Sequence, residues 1–280
     1  MKRILTALLL IIIVVALIFF GQLWMLTLTT CLVAELAAYE YLTLANSSGA
    51  RIPIWWMAAA TAVLFLLTLP GFHYEAELPV LSILALVLLA WTGFRGALER
   101  VLPDAAIGLF GLVYVAYPLT LVPMIWNRDD GKPLLLFLMV CVWSGDIAAL
   151  YIGRSFGRHK LSRLSPNKSW EGSIASVAGS VLAGLAVVYA GVLLSNRDNT
   201  VLHILEPVWQ SIVLAIIINV AAQLGDLLES AIKRGAGVKD SGTMLPGHGG
   251  ILDRIDALLL AAPVLWCALL LKDAFGLGRF

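Results

Sequence analysis

Long apolar runs, broken by short polar stretches, alternate along the whole chain. A membrane-spanning helix needs about 17 to 25 mostly apolar residues. On that rule the chain divides into nine candidate spans, roughly at 4–20, 22–45, 53–69, 78–92, 105–125, 133–153, 173–194, 207–225 and 255–271. The expected fold class is therefore all-α, a polytopic integral membrane protein. Composition agrees, because 60% of the 280 residues are hydrophobic and 13% are charged, against about 25% charged in a soluble domain.

Basic residues set the expected orientation, since Lys and Arg are retained on the cytoplasmic side. With the N-terminus inside, fourteen of the nineteen fall on cytoplasmic pieces, and only Arg128, Lys132, Arg197, Lys272 and Arg279 fall outside. Nine crossings give an N-in, C-out topology, and eight would put the C-terminal tail inside without moving the loops. Lys2 and Arg3 ahead of an apolar run also fit a signal peptide, but no small-x-small cleavage site precedes Gly21, so an uncleaved first helix is expected. Cys31, Cys141 and Cys267 lie in apolar segments without ligand spacing and read as packing residues, with neither disulfide nor metal implied. A formal charge of +1 argues against a nucleic-acid partner.

Polar residues that could do chemistry gather at one edge. Residues 1–100 read as N-terminal transmembrane helices, and 101–280 as a C-terminal transmembrane catalytic region with cytoplasmic loops 154–172 and 226–254. In the first loop Ser165-Pro166 makes a turn, and Ser169-Trp170-Glu171-Gly172 opens the next helix with a polar cap. Beside Lys168, that helix start can hold an anion. Without such a role the loop would be a positive-inside topology signal alone. Asp146 lies about 12 Å into the sixth span at 1.5 Å per residue, a depth at which a carboxylate is costly unless it faces protein, water or a cation. Glu35 and Glu40 carry no motif and read as interhelical hydrogen-bonding groups.

Asn219, Gln223, Asp226, Ser230 and Lys233 recur at a 4-3-4-3 spacing, which aligns them on one helical stripe running out to the second loop. A polar seam between helices is the competing interpretation. The stripe leads into a cation pair, Lys233-Arg234, and then to Pro246-Gly247-His248-Gly249-Gly250, whose glycines allow a backbone to approach an anion. His248 has no companion at zinc spacing and is assigned phosphate contact at most. Asp253 and Asp256, three apart, share one helical face that Arg254 does not. Paired carboxylates repel without a cation, and with Asp226 they suit a hard, partly hydrated ion, above all Mg2+. Compensation of the helix dipole would explain one such Asp.

These residues, in order and spacing, resemble the phosphatidate cytidylyltransferases, also called CDP-diacylglycerol synthases. The match runs through Ser230, Lys233-Arg234, Lys239-Asp240, Pro246 to Gly250, and Leu252-Asp253-Arg254-Ile255-Asp256. Upstream it takes in Asp146, Tyr151, Gly153-Arg154, Gly157, Ser165-Pro166, Lys168-Ser169, Glu171-Gly172, Gly225-Asp226 and Glu229. The resemblance implies transfer of the cytidylyl group from CTP to phosphatidate with Mg2+ and a K+ companion, by an all-helical homodimer in a bacterial inner membrane, its active site at the cytoplasmic face. It implies a metal centre at Asp226, Asp253 and Asp256, with Lys233 also catalytic. Substrate contacts are implied at Asp146, Ser165, Lys168, Ser169, Glu171, Ser230, Arg234, Lys239, Asp240, His248, Gly249, Gly250 and Arg254. Two other classes stay open: a CTP-dependent lipid or polyprenol kinase, and a transporter, which would place its ionisable residues nearer the bilayer midplane.

Overall fold

The computed structural model describes residues 2–47, 49–72, 76–195, 207–244 and 249–275. Among the described residues ten α-helices follow one another: α1 Lys2–Phe20, α2 Leu23–Ser47, α3 Ile54–Leu66, α4 Glu77–Arg95, α5 Val101–Gly111, α6 Tyr117–Trp126, α7 Gly131–Phe156, α8 Trp170–Ser195, α9 Val208–Gly235 and α10 Leu252–Phe275. No strand occurs among the described residues, and a single antiparallel bridge joins Lys160 to Ser169. Among the described residues seven helical stretches are long and apolar enough to cross a membrane, α5 and α6 counting as one, while Leu9–Phe20 and Ile54–Leu66 are shorter apolar helices. Each of the nine expected spans thus coincides with an apolar helix, and the chain is an all-α polytopic membrane protein. Large side chains such as Ile83, Leu86, Ile174 and Leu182 stand exposed on these helices, as lipid contact requires.

The departures from the expected boundaries have local causes. Helix α3 ends at Leu66 because the chain turns through Pro70 and Gly71, whose φ is +100°. The fifth span is not one regular helix: Leu112–Ala116 is π-helical, ending two residues before Pro118. Proline has no N–H to give to the carbonyl four residues back, and a π turn absorbs the mismatch. Helix α9 runs ten residues beyond the expected end at 225, so the polar stripe stays helical to Gly235.

The chain forms two units, Met1–Met124 with Ile232–Ile255, and Ile125–Ala231 with Asp256–Phe280. In the first, the Tyr41 ring of α2 lies where a side chain at Gly111 would be, and its hydroxyl donates to the Ile107 carbonyl at 2.8 Å. Arg100 donates to the Gly49 carbonyl at 2.7 Å and pairs with Asp104 at 2.8 Å, tying the α2–α3 connection to the start of α5.

In the second unit α7 and α8 pack through small residues. Gly145 faces Ser176 and Ser180, Gly153 faces Gly172, and Gly184 faces Phe137 and Cys141. Between helices in lipid, such close approach replaces the hydrophobic drive available in water. Polar groups complete the contact with α9. Asn219 Nδ2 donates to Ser176 Oγ at 2.9 Å and Ser180 Oγ at 2.7 Å, and Gln223 Nε2 donates to Asn219 Oδ1 at 2.6 Å. Arg128 pairs with Asp130 at 3.3 Å and Asp273 at 3.0 Å, which brings the α6–α7 turn and the end of α10 to one end of this unit. The nine-span topology assigns both pieces to the same membrane face.

Candidate active site

A cavity of about 670 Å³ in the second unit is lined by α7, α8, α9 and the loop before α8, with Asp146, Arg154, Ser165, Lys168, Ser169, Gln223 and Asp226 at its wall. The loop owes its shape to local bonds. Leu161 N–H donates to the Lys168 carbonyl and Trp170 N–H to the His159 carbonyl, each at 3.0 Å, and Lys168 N–H closes the Ser165-Pro166 turn at 3.1 Å. Ser169 Oγ caps α8 by accepting from Gly172 N–H at 3.2 Å. Glu171, expected to contact substrate, instead braces the loop: it accepts from the Arg158 N–H at 3.2 Å and lies 2.6 Å from His159 Nδ1. It is absent from the cavity wall.

Asp226 pairs with Lys168 at 2.5 Å, so the loop and α9 meet through opposite charges at the cavity. One turn along α9 comes Glu229, fully buried. Oxygens of Asp226, Glu229 and Asp256 all lie within 4.8 Å of one another. The convergence depends on Gly225, because a Cβ there would sit 2.5 Å from the Asp256 carbonyl oxygen. Three carboxylates this close repel one another without a cation, and their hard oxygens are the donor type that Mg2+ takes. Gly225→Ala should therefore separate α9 from α10 and destabilise the protein by about 1–3 kcal/mol, the usual range for overpacking. Thermal unfolding in detergent checks this, and an unchanged midpoint would contradict it.

The acidic trio differs from the expected set of Asp226, Asp253 and Asp256. Asp253 belongs to the first unit, where Oδ1 takes Lys233 Nζ at 2.6 Å and Oδ2 accepts from the N–H of Gly250 at 2.8 Å and of Ser241 at 3.0 Å. It is the second residue of α10, and carboxylates there reach back to amides that the helix start leaves without intrahelical partners. Gly249 makes the turn possible with φ +79°, a conformation other residues avoid, and it lies against the Asp253 carboxylate. Arg234 is exposed and donates to the Val238 carbonyl at 3.1 Å. Lys239, Asp240 and Arg254 are exposed, and Ser230 is half-buried on α9. Pro246, Gly247 and His248 lie outside the described residues.

Three groups escape the sequence reading. Glu229 enters the matching motif without a role, although its i, i+3 spacing from Asp226 on a helix puts the two on one face. Arg154, at the cavity wall, also enters the matching motif without a role. Glu40, read as an interhelical hydrogen-bonding group, accepts from Ser241 Oγ at 2.9 Å, Ile251 N–H at 3.0 Å and Leu252 N–H at 2.9 Å. Its partners are a loop and a helix start some two hundred residues away.

Fold and site together define a polytopic helical membrane protein with a cluster of carboxylates, one of which, Asp226, meets a lysine at the wall of a polar cavity, a class suited to phosphorylated ligands. The pattern of the Cytidylyltransferase family matches residues 1–271, and the chain belongs to that family. It is similar to a phosphatidate cytidylyltransferase of Brucella suis, 41% identical over 162 residues that make up 58% of this chain and 55% of the relative. The protein of that name from Staphylococcus haemolyticus is 37% identical over 163 residues, 58% of each chain. That from Synechocystis is 37% identical over 150 residues, 51% of this chain and 47% of the relative. The chain thus spans about half the length of the curated relatives it matches.

Proposed function

We propose that the protein transfers the cytidylyl group of CTP to phosphatidate, giving CDP-diacylglycerol and pyrophosphate. It does so as a homodimer, with its site on the cytoplasmic face of a bacterial inner membrane. The observation that carries this reading is the convergence of Asp226, Glu229 and Asp256, with Asp226 paired to Lys168 at the wall of a polar cavity, in a membrane chain of this family. The trio is a fitting oxygen donor set for Mg2+. When bound, that ion neutralises phosphate charge and orients phosphate oxygens. K+ is assigned as its companion on the family resemblance alone.

The chain's own residues have a defined task in such a reaction. The attacking group is a phosphate monoester, whose second ionisation near pKa 6 leaves it mostly dianionic at neutral pH, so no strong general base is required. An oxygen of phosphatidate forms a bond to the α-phosphorus of CTP as the bond to the β-phosphate bridging oxygen breaks, and pyrophosphate leaves. The obstacle is repulsion between anions, and its remedy is fixed positive charge and alignment. Lys168 and Arg154 supply positive charge at the cavity wall, Ser165 and Ser169 supply hydroxyls, and Asp146 adds a carboxylate to the same wall. On the family resemblance, Lys233, Arg234, Lys239 and the Gly249-Gly250 backbone are assigned to substrate phosphates. Acyl chains remain in hydrocarbon while the headgroup meets cytosolic nucleotide.

Purified protein given CTP and phosphatidate should release pyrophosphate in equal amount to the CDP-diacylglycerol formed, and none without phosphatidate. CDP as the nucleotide product would contradict the reading. Orientation has a separate test in a variant lacking the native cysteines. A probe at Lys160→Cys should resist a membrane-impermeant reagent added outside, whereas one at Ala274→Cys should react. The fourteen-to-five distribution of basic residues motivates this, and the reverse labelling pattern would refute it.

A further inference from the structure

Glu40 has no place in the reaction proposed above, yet it is 2% exposed and ionisable. A buried carboxylate is tolerated when its lone pairs are filled. Here they are filled by the Ser241 hydroxyl and the amides of Ile251 and Leu252. The surrounding backbone is shaped to it, since a Cβ on either Gly242 or Gly250 would collide with the Glu40 carboxylate. The same loop residues serve a second carboxylate. Ser241 gives its hydroxyl to Glu40 and its N–H to Asp253, while Gly250 lies against Glu40 and gives its N–H to Asp253. Asp253 in turn holds Lys233. Helix α2 therefore grips both ends of the loop that orients the Asp253–Lys233 pair.

We infer that Glu40 is a positioning residue, which clamps Ser241 to Leu252 and thereby sets the orientation of Asp253 and Lys233 for cytidylyl transfer. The inference rests on the proposed function for its catalytic consequence, though the clamp itself does not. Glu40→Gln keeps the size of the side chain but turns one acceptor oxygen into a donor, so one of the two backbone amides loses its partner. Ser241→Ala removes a single donor and leaves α10 capped.

The test uses the full chain in lipid nanodiscs with two readouts. Trypsin cleavage after Lys239, exposed in this loop, reports the clamp, and steady-state kinetics report its consequence. In Glu40→Gln, cleavage should accelerate and kcat should fall about tenfold, the scale of one charge-assisted bond, with KM for CTP changing less. Ser241→Ala should shift both readouts the same way and by less, which keeps the test open if Glu40→Gln does not fold. Because Glu40 acts through Lys233, Glu40→Gln added to Lys233→Met should lower kcat no further, whereas a merely structural defect would multiply with it. Unchanged cleavage in both variants, faster cleavage with wild-type kcat, or multiplicative loss in the double variant would each overturn the inference. A wild-type protein that forms no CDP-diacylglycerol would instead remove the proposed function, and the cleavage rates would then judge the clamp alone.

Discussion

Asp256→Asn is expected to abolish turnover while leaving the protein folded, and in the absence of divalent cation to leave its thermal midpoint equal to or above that of the wild type. Oxygens of Asp226, Glu229 and Asp256 lie within 4.8 Å of one another, so removing one negative charge relieves repulsion in the metal-free protein. The same change removes one of three hard oxygen donors. Loss of groups that only support a ligand already costs about 10- to 100-fold in metal affinity, and loss of a ligand should cost at least that. A ligand present at a hundred times its Kd stabilises a protein by about 2.7 kcal/mol. Wild type should therefore gain stability on addition of Mg2+, and Asp256→Asn should not. Asp226→Asn should behave alike, with an added loss from its ion pair with Lys168. Wild-type activity in either variant, or an undiminished Mg2+-dependent rise in midpoint, would remove these residues from a metal centre.

Lys233→Met is expected to damage both stability and rate. Its ammonium lies 2.6 Å from Asp253 Oδ1, with only 13% and 8% of the two side chains accessible. Breaking a pair this deeply set leaves an uncompensated carboxylate, at a cost of up to about 3–5 kcal/mol. The two amides on Asp253 Oδ2 lower that figure here. A charge-assisted contact to a substrate phosphate is worth about 1.5–3 kcal/mol, or tenfold to a hundredfold in kcat/KM. If the lysine grips charge developing on departing pyrophosphate, kcat should fall; if it binds the ground state, KM should rise. The double variant Lys233→Met/Asp253→Asn separates the two roles, because neutralising both partners should restore the midpoint and leave the catalytic defect. Recovery of both would make Lys233 a structural counter-ion. Kinetics of the single variant equal to wild type would leave it no role in the reaction.

What the sequence discloses about this molecule follows physical range. Hydropathy acts over one span, so all nine apolar segments are visible, and a 3.6-residue period acts over a helix, so the stripe from Asn219 to Lys233 is visible as well. The π turn before Pro118 and the extension of α9 to Gly235 lie within reach of local rules but below what hydropathy resolves. Asp253 marks where the spacing alone does not reveal the contacts the fold gives a residue. Three residues before Asp256 it shares a helical face, yet its place at the helix start offers it free amides that a residue one turn later does not have. The link from Glu40 to Ser241 and Leu252 follows no period, because tertiary packing alone brings those residues together. Gly225 is similar: its meaning lies in the Asp256 backbone it lets approach, not in its own helix.

The central claim is that the α-phosphate of CTP, with its nucleoside, ends on the lipid. The most direct measurement gives the purified protein phosphatidate and Mg2+ with CTP labelled at either the α- or the γ-phosphate, and follows label into the lipid phase. Label from the α-position should enter the lipid, only when phosphatidate is present, and label from the γ-position should leave as pyrophosphate. Transfer of γ-label to lipid would identify a kinase, and no label in lipid from either position would contradict the account altogether.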